Sequence, residues 1–161
     1  MHAADCHHEE GVHPGLKGHA LRRALAAAQV RCQTIQERLT EPRRRVLELL
    51  LEADAPLKAY DLIATFGEDG APAKPPTVYR ALDFLERQGF AHRIESLNAF
   101  VPCRLEAENH KAAFLICTCC GAAEEFEPDL SPGLAAAQAK GYQVASVTLE
   151  ARGLCPACRA E

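Results

Sequence analysis

The fold of this chain is decided by the stretch KPPTVYRALDFL, residues 74–85. Its two consecutive prolines can stand only before a helix or in the first helical turn, because proline has no backbone N–H to donate. Apolar residues then recur at helical spacing, namely Val78, Leu82 and Leu85. Gly89 supplies a C-terminal stop. We therefore expect a helix with one buried stripe, whose opposite face exposes Tyr79, Arg80 and Asp83.

Three further helices are predicted upstream. Alanine, leucine and arginine, with no glycine or proline after Gly18, predict a long helix over residues 17–39. Residues 40–42, Thr-Glu-Pro, are typical of a cap and a first-turn proline, and they open a second helix. Its expected apolar face is Val46, Leu49, Leu50 and Ala53. After a break at residues 54–56, a short third helix ends near Gly67. Its apolar residues are Leu62, Ile63 and Phe66.

Downstream of the deciding stretch, residues 90–101 predict a β-hairpin. Two sets of residues alternate along its first strand, Phe90, His92 and Ile94 with Ala91, Arg93 and Glu95. A turn at residues 96–99 leads into the second strand. Three helices followed by such a hairpin describe a winged helix-turn-helix, in which the helix that begins at residues 75–76 is the recognition helix.

The last third of the chain predicts a second, smaller domain. Strands are expected over residues 112–117, around 122–126 and over 142–151, with a helix over 131–140. So few elements close little core, so we expect this part to pair with a second copy. The fold class is α+β, an N-terminal winged helix-turn-helix followed by a small α/β dimerisation domain. The expected parts are a tail at 1–16, a DNA-binding domain at 17–101 and a metal-binding dimerisation domain at 102–161.

Charge is divided unevenly along the chain, whose net value is −4. Residues 17–93 hold 13 Lys and Arg against 10 Asp and Glu, whereas residues 94–161 hold 5 against 9. A mildly basic front part and an acidic back part suit a DNA-facing module joined to a different one. Apolar stretches such as residues 46–51 are far shorter than the roughly 18 residues of a membrane span. The start of the chain is polar and acidic, unlike a secretory signal, so we expect a cytoplasmic protein.

Two cysteine pairs give the strongest chemical signal. Cys117 and Cys120 form one C-x2-C pair, and Cys155 and Cys158 form another after 34 intervening residues. Cysteines of a cytoplasmic protein stay reduced, and this spacing matches a closed, tetrahedral four-thiolate zinc site. A thioredoxin-like redox pair is the competing interpretation, but neither pair stands at a strand-to-helix junction. Cys119 has no place in the tetrahedron.

A second set of candidate ligands is dispersed around the hairpin and the strands that follow it: His92, Cys103, His110 and Glu125. Two imidazoles, a thiolate and a carboxylate suit a tetrahedral divalent metal, and the thiolate favours zinc over manganese or magnesium. Spacing alone leaves the ordinary interpretation open, in which His92 is a hairpin residue and Glu125 a solvated acid. Glu124 competes with Glu125, although alternation along a strand sends the two side chains to opposite faces.

The stretch at residues 74–85 closely resembles the ferric uptake regulator family, and within it the zinc uptake regulator branch. The likeness extends over most of residues 20–158. It includes residues 39–43, 59–62 and 88–92, both cysteine pairs, and Gly153-Leu154-Cys155. The resemblance implies structural zinc at Cys117, Cys120, Cys155 and Cys158. It implies regulatory zinc at His92, Cys103, His110 and Glu125.

The resemblance also implies residues that contact DNA. Tyr60 and Arg80 match the family's base-reading positions, and arginine can bond guanine O6 and N7 together. The expected DNA-binding set is Tyr60, Thr77, Tyr79 and Arg80. The ordinary interpretation of Arg80 is a solvated helix charge. In place of the His-rich run of iron-sensing relatives, residues 109–113 read Asn-His-Lys-Ala-Ala, which favours zinc over iron or peroxide sensing.

The resemblance implies a zinc-responsive transcriptional repressor that binds double-stranded operator DNA as a zinc-loaded homodimer, controls zinc uptake and homeostasis genes, and takes no organic substrate. Alternatives are a family member with another metal or peroxide effector, or a zinc-stapled protein-interaction module. Catalysis is disfavoured. The segment from His8 to His13 is one residue too long for H-E-x-x-H, and the deaminase-like H-x-E at residues 7–9 has no helix to carry it.

Overall fold

The computed structural model describes residues 14–67, 69–104, 113–144 and 147–159. It contains both helices and small sheets, which confirms the α+β class. The described residues up to Arg104 form one compact unit, and those from Ala113 onward belong to a second. We call them the N-terminal and C-terminal units. The N-terminal unit extends beyond residue 101 because the backbone N–H of Cys103 still donates to the carbonyl of Phe90, at 2.9 Å.

The N-terminal unit is the predicted winged helix-turn-helix. Its helices are α1 (Gly18–Thr34), α2 (Glu41–Glu52), α3 (Ala59–Ala64) and α4 (Pro75–Arg87). Its wing is the antiparallel pair of strands β1 (Ala91–Ile94) and β2 (Ala99–Pro102). Leu57 adds a third short stretch to the wing, because its backbone exchanges two hydrogen bonds with Phe100, of 3.0 and 2.8 Å.

The core of this unit lies among α1, α2 and α4. One stripe of α1 is buried, consisting of Leu21, Leu25, Ala28 and Cys32. The buried residues of α2 are Val46, Leu47, Leu50 and Leu51. Of the other predicted α2 residues, Leu49 packs half-buried against the core, whereas Ala53 follows the helix end. The prediction missed Leu47 and Leu51, which are buried. A helix packed against neighbours on two sides buries a stripe that the spacing of its own leucines does not specify.

Helix α1 ends five residues earlier than predicted. The N–H of Glu37 donates to the carbonyl of Cys32 at 2.8 Å, and that of Gln36 to the carbonyl of Gln33 at 3.1 Å. These two bonds form a Schellman motif, in which the residue after the cap takes a left-handed conformation. Here that residue is Gln36, with φ of 57°. Because glycine usually takes this position, no sequence signal marked the helix end.

Two further boundaries differ from expectation. Gly15 and Leu16 were expected in the tail, but both bond to the region where α2 ends. The N–H of Leu16 donates to the carbonyl of Leu51 at 2.7 Å. The N–H of Gly15 donates to the carboxylate of Asp54 at 2.6 Å. Helix α3 ends before Phe66, which packs half-buried against the core from outside the helix.

The wing departs from strict alternation at its start. Phe90 and Ala91 are both buried, since the chain leaves α4 there and turns across the core before β1 is fully extended. The hairpin turn covers residues 95–98, a single 3₁₀ turn at Glu95–Leu97 followed by Asn98, whose φ is 48°. Asparagine tolerates this left-handed conformation better than most side chains. The predicted hairpin is thus confirmed, with its turn one residue earlier.

The C-terminal unit is a three-stranded sheet with two helices. Its elements are β3 (Ala113–Cys117), β4 (Ala123–Phe126), α5 (Ser131–Ala139), β5 (Leu149–Gly153) and α6 (Pro156–Arg159). The strand order is β4-β3-β5, with β3 antiparallel to β4 and parallel to β5. The strand predicted over residues 142–151 was wrong in its bounds, because β5 begins at Leu149. Helix α5 ends in a Schellman motif at Gly141, and residues 142–144 follow as coil.

Among the described helices, none combines the length and apolar character needed to cross a membrane.

Replacing Gln36 by glycine is expected to stabilise the protein. A non-glycine residue in the left-handed region pays a steric cost that glycine avoids, and part of this gain is lost to glycine's greater freedom in the unfolded chain. We expect Gln36→Gly to raise the free energy of unfolding by about 0.5–1 kcal/mol. The matched control Gln33→Gly, inside α1, lowers it by about 1 kcal/mol. Urea unfolding of both variants measures this; a loss of stability in Gln36→Gly contradicts the assigned helix end.

Candidate metal centres and nucleic-acid interface

Parallel pairing brings the two cysteine pairs to one edge of the sheet. The carboxyl ends of neighbouring parallel strands lie side by side, and the register places Cys117, the last residue of β3, opposite Gly153, the last residue of β5. The N–H of Thr118 donates to the carbonyl of Gly153 at 2.7 Å and holds the two strand ends together. The first pair therefore lies in the turn after β3, and the second where β5 leads into α6.

The four paired cysteines form one cluster. The sulfur atoms of Cys117, Cys120, Cys155 and Cys158 all lie within 4.8 Å of one another. Those of Cys120 and Cys155 are 3.9 Å apart, too far for a disulfide of about 2.05 Å. A zinc ion with four ligands at about 2.3 Å needs sulfur atoms about 3.8 Å apart. The donor set and its spacing thus fit a four-thiolate zinc site, and Cys119 stands outside it.

Backbone N–H groups prepare this cluster for negative charge. Burial alone raises the pKa of the Cys117 thiol, but the N–H groups of Cys120, Cys155 and Cys119 favour the thiolate and lower that pKa to about 6. The N–H of Cys155 points at the Cys117 sulfur from 3.3 Å. Burial raises the pKa of Cys120, and its contact with the Cys117 sulfur raises that pKa further. A bound cation therefore favours full deprotonation of the cluster near neutral pH.

His92 and Cys103 are brought together by the register of the wing. His92 pairs with Val101, and Ala91 with Pro102, so Cys103 follows opposite Phe90. Since alternate residues share a face of a strand, Cys103 lies on the face of His92, one position diagonally away. Their ligand atoms lie within 4.8 Å of each other. Both side chains are half-buried, and the Nε2 atom of His92 is itself buried. The wing therefore offers a nitrogen and a sulfur donor side by side.

The other two predicted ligands stand differently. His110 lies outside the described residues. Glu125 is half-buried on β4 and pairs with Phe114, which is buried, whereas Glu124 pairs with Leu115, which is 45% exposed, and is itself exposed. The two glutamates point to opposite faces of the sheet, as alternation predicts. The better shielded Glu125 is the stronger candidate ligand of the pair.

The predicted DNA-contacting residues lie on the outer surface of the helix-turn-helix. Tyr60, in the first turn of α3, is 78% exposed, and Tyr79 of α4 is 52% exposed. Arg80 is exposed and Thr77 half-buried, both within the first two turns of α4. Within the described part of the chain no hydrogen bond or ion pair holds the Arg80 guanidinium, so it can turn toward a ligand. The buried stripe of α4 faces away, as predicted.

A helix-turn-helix with a wing and an exposed recognition helix, followed by a small unit with a four-thiolate cluster, defines a winged-helix transcription regulator with its own metal centre. The model of the ferric uptake regulator family matches residues 34–152. The chain therefore belongs to the ferric uptake regulator family, which confirms the resemblance found in its sequence.

Individual relatives match over most of the chain. The zinc uptake regulation protein of Escherichia coli (strain K12) is 43% identical over 139 residues, which cover 83% of this chain and 80% of that protein. A solved zinc uptake regulator complexed with zinc and DNA is 39% identical, with a TM-score of 0.83 over 89% of this chain and 97% of that one. The holo form of XcZur is 44% identical, with a TM-score of 0.78 and coverages of 85% and 97%.

Sequence reasoning missed the contacts that hold these sites. The N–H of Cys103 bonds the carbonyl of Phe90 and so aligns Cys103 with His92; we call these two side chains the metal half-site. This bond depends on the hairpin register, which the alternation of side chains alone did not reveal. The parallel alignment of β3 with β5 likewise depends on a crossover that no local pattern marks. The length of chain between the cysteine pairs was the one available signal, because a parallel connection needs a dozen or more residues.

The metal-free cluster is expected to hold a thiolate in mildly acidic solution. The folded pKa of Cys117 lies below its ordinary value of about 8.5. Stability contributed by the thiolate is therefore fully present above pH 8.5 and lost as the pH falls through about 6. Ultraviolet thiolate absorbance of chelator-treated protein should show a step near pH 6, as a property of the coupled cluster. Cys117→Ser should remove the step and Cys119→Ser keep it. A wild-type titration without any step below pH 8 contradicts this account.

Proposed function

We propose that this protein is a zinc-responsive transcriptional repressor that binds operator DNA as a zinc-loaded homodimer and controls genes of zinc uptake and homeostasis. The observation that carries the proposal is the pairing of His92 with Cys103 on the wing that directly follows the recognition helix. Any metal held there bears on the part of the chain that contacts DNA. The similar protein solved with zinc and DNA supports both ligands.

We propose two zinc sites with different tasks. Cys117, Cys120, Cys155 and Cys158 hold structural zinc, supported by the spacing of their sulfur atoms. Bound there, zinc supplies a closed tetrahedral link and no open position for substrate or water. The residues tie the end of the sheet to α6, a four-residue helix whose one buried residue is Cys158. This gives the C-terminal unit stability that its small core does not provide.

The regulatory site is proposed to use His92, Cys103, His110 and Glu125. The nearness of His92 to Cys103 and the sheltered position of Glu125 support three of these residues. A single thiolate with imidazole and carboxylate donors binds zinc less permanently than four thiolates do, which suits a sensor. Bound there, zinc would be held by His92 and Cys103 of the wing together with the other proposed ligands. His92 and Cys103 then hold the wing, and with it α4, in the conformer that binds DNA.

A homodimer is proposed from the surface of the C-terminal unit. In this unit Leu115, Tyr142, Val144 and Leu154 are exposed, and no residue of α5 is buried. Apolar surface left uncovered in so small a unit is typical of an interface. Two recognition helices in one dimer reach major grooves about one helical turn apart, or a multiple of it. Metal binding therefore sets the spacing at which the dimer contacts the two halves of the operator. By linkage, DNA raises the affinity for the metal by the same factor by which the metal raises the affinity for DNA.

Rival functions have less support. Membership in a family of transcription regulators disfavours an enzyme, and the catalytic near-matches of the sequence lie outside the described residues. A zinc-stapled interaction module leaves the exposed Tyr60, Tyr79 and Arg80 without a task. A different effector within the family is disfavoured by the sulfur donor of Cys103 next to His92, since iron and manganese prefer oxygen and nitrogen donors.

Removal of the Arg80 guanidinium is expected to reduce sequence discrimination. Arginine bonded to both acceptors of a guanine distinguishes it from other bases, so Arg80→Ala should narrow the gap between operator and unrelated DNA by about 1–3 kcal/mol. The control Arg87→Ala removes an exposed arginine from the last turn of α4, where its side chain bonds the carbonyl of Asp83. Competition binding with both DNAs at one salt concentration measures the gap. Equal weakening by Arg80→Ala on every DNA shows that Arg80 contacts only phosphate.

Removal of the Cys103 thiol is expected to abolish zinc control. Cys103→Ser should leave a folded dimer that retains structural zinc but binds operator weakly at every free-zinc concentration. The control Cys119→Ser removes a thiol outside both sites and should behave like the wild type. DNA binding across a free-zinc titration, with metal content per chain, tests the proposal. Unchanged zinc-dependent binding by Cys103→Ser overturns the regulatory site, and zinc-independent binding by the wild type overturns the function.

A further inference from the structure

Arg31 makes three contacts with consecutive residues of a distant turn. One of its guanidinium nitrogens donates to the carbonyl of Gln88 at 2.6 Å and the other to that of Gly89 at 3.4 Å. Its guanidinium carbon lies 4.5 Å from the centre of the Phe90 ring. One side chain thus holds residues 88–90, and the two carbonyls that it bonds lie 57 and 58 residues further along the chain. Both hydrogen bonds are partly buried, so water competes with them weakly.

The turn held by Arg31 is the end of the recognition helix. The N–H of Phe90 donates to the carbonyl of Leu85 at 2.8 Å and that of Gly89 to the carbonyl of Glu86 at 3.0 Å, which is a Schellman motif. Gly89 has φ of 68°, and a Cβ there would lie 3.3 Å from Arg31, so glycine serves both the turn and the close approach. A cation at this place also complements the negative end of the α4 dipole.

The wing begins at the same turn, and the wing carries the metal half-site formed by His92 and Cys103. The carbonyl of Phe90 accepts the N–H of Cys103 at 2.9 Å, and His92 lies two residues after Phe90 on β1. The ring of Phe90 stacks against Phe84 of α4, with centroids 6.5 Å apart. Phe90 therefore links α4 to both donors, and Arg31 is the residue of α1 that holds Phe90 from outside.

We infer that Arg31 is a positioning residue for the metal half-site. By fixing the turn at residues 88–90, Arg31 sets the placement of His92 and Cys103, and so the affinity of that site for its metal. This inference rests on the proposed function for the regulatory metal site at His92 and Cys103. Residues that hydrogen-bond a metal's direct ligands typically change its affinity about 10- to 100-fold when removed. Arg31 acts one residue further away, through the turn at residues 88–90, so we expect an effect at the lower end of that range. Helix α1 thereby acts on metal sensing without contributing a ligand.

The experiment compares Arg31→Met and Arg31→Lys with the control Arg23→Met in the full chain. Methionine keeps an unbranched apolar stem without donors or charge, and lysine keeps a charge but cannot bond two carbonyls while stacking on a ring. Arg23 is an exposed residue of the same helix. Cobalt(II) is titrated into protein that retains its tightly held zinc, and the absorption of the cobalt–thiolate site gives the affinity without any DNA. Unfolding by urea is measured on the same samples.

We expect Arg31→Met to weaken cobalt binding about tenfold, with unchanged tightly held zinc. Arg31→Lys should lower the cobalt affinity by a smaller factor, and Arg23→Met should bind cobalt as the wild type does. A merely stabilising Arg31 would lower the unfolding midpoint and leave the cobalt affinity unchanged, which overturns the inference. If Arg31→Met fails to fold, wild-type affinity in Arg31→Lys overturns it instead. Zinc-independent DNA binding by the wild type would refute the proposed function alone, since the cobalt titration contains no DNA.

Discussion

The end of the recognition helix at Gly89 is the constraint on which the functional half of this protein depends. A left-handed residue there closes α4, turns the chain across the core through Phe90 and starts the wing. Phe90 is held on three sides, by its N–H to α4, by its carbonyl to Cys103 and by its ring to Phe84. One turn of backbone thus positions both the recognition helix that precedes it and the donors His92 and Cys103 that follow it.

The two units are stabilised by different means. The N-terminal unit has a core of leucines, valines and phenylalanines from its four helices and the wing, which suffices for a domain of this size. In the C-terminal unit few described side chains are buried, mainly on β3, and two of them are cysteines of the cluster. Four thiols and their backbone N–H donors therefore take the place of part of an apolar core, and we propose that bound zinc supplies the stability that this core lacks.

Prediction from sequence was accurate where the signal is local. The proline pair located the start of α4, and Gly89 located its end. The spacing of the cysteines predicted that the two pairs form one cluster. It was wrong where neighbours in space decide. Helix α2 buries Leu47 and Leu51 because helices pack on two of its sides. The end of α1 at Thr34 was missed for a local reason, because Gln36 takes a left-handed conformation that its side chain disfavours.

The sequence by itself determined the chemical parts, because proline, glycine and cysteine have properties that hold in any surroundings: where helices begin and end, which thiols pair, and to which family the chain belongs. Only the tertiary structure decided how the parts meet. The parallel register that joins the two cysteine pairs, the diagonal of the wing that joins His92 to Cys103 and the reach of Arg31 to the end of α4 all join residues distant in the chain. Such contacts form only when many weak interactions act together, so no single stretch of residues encodes them.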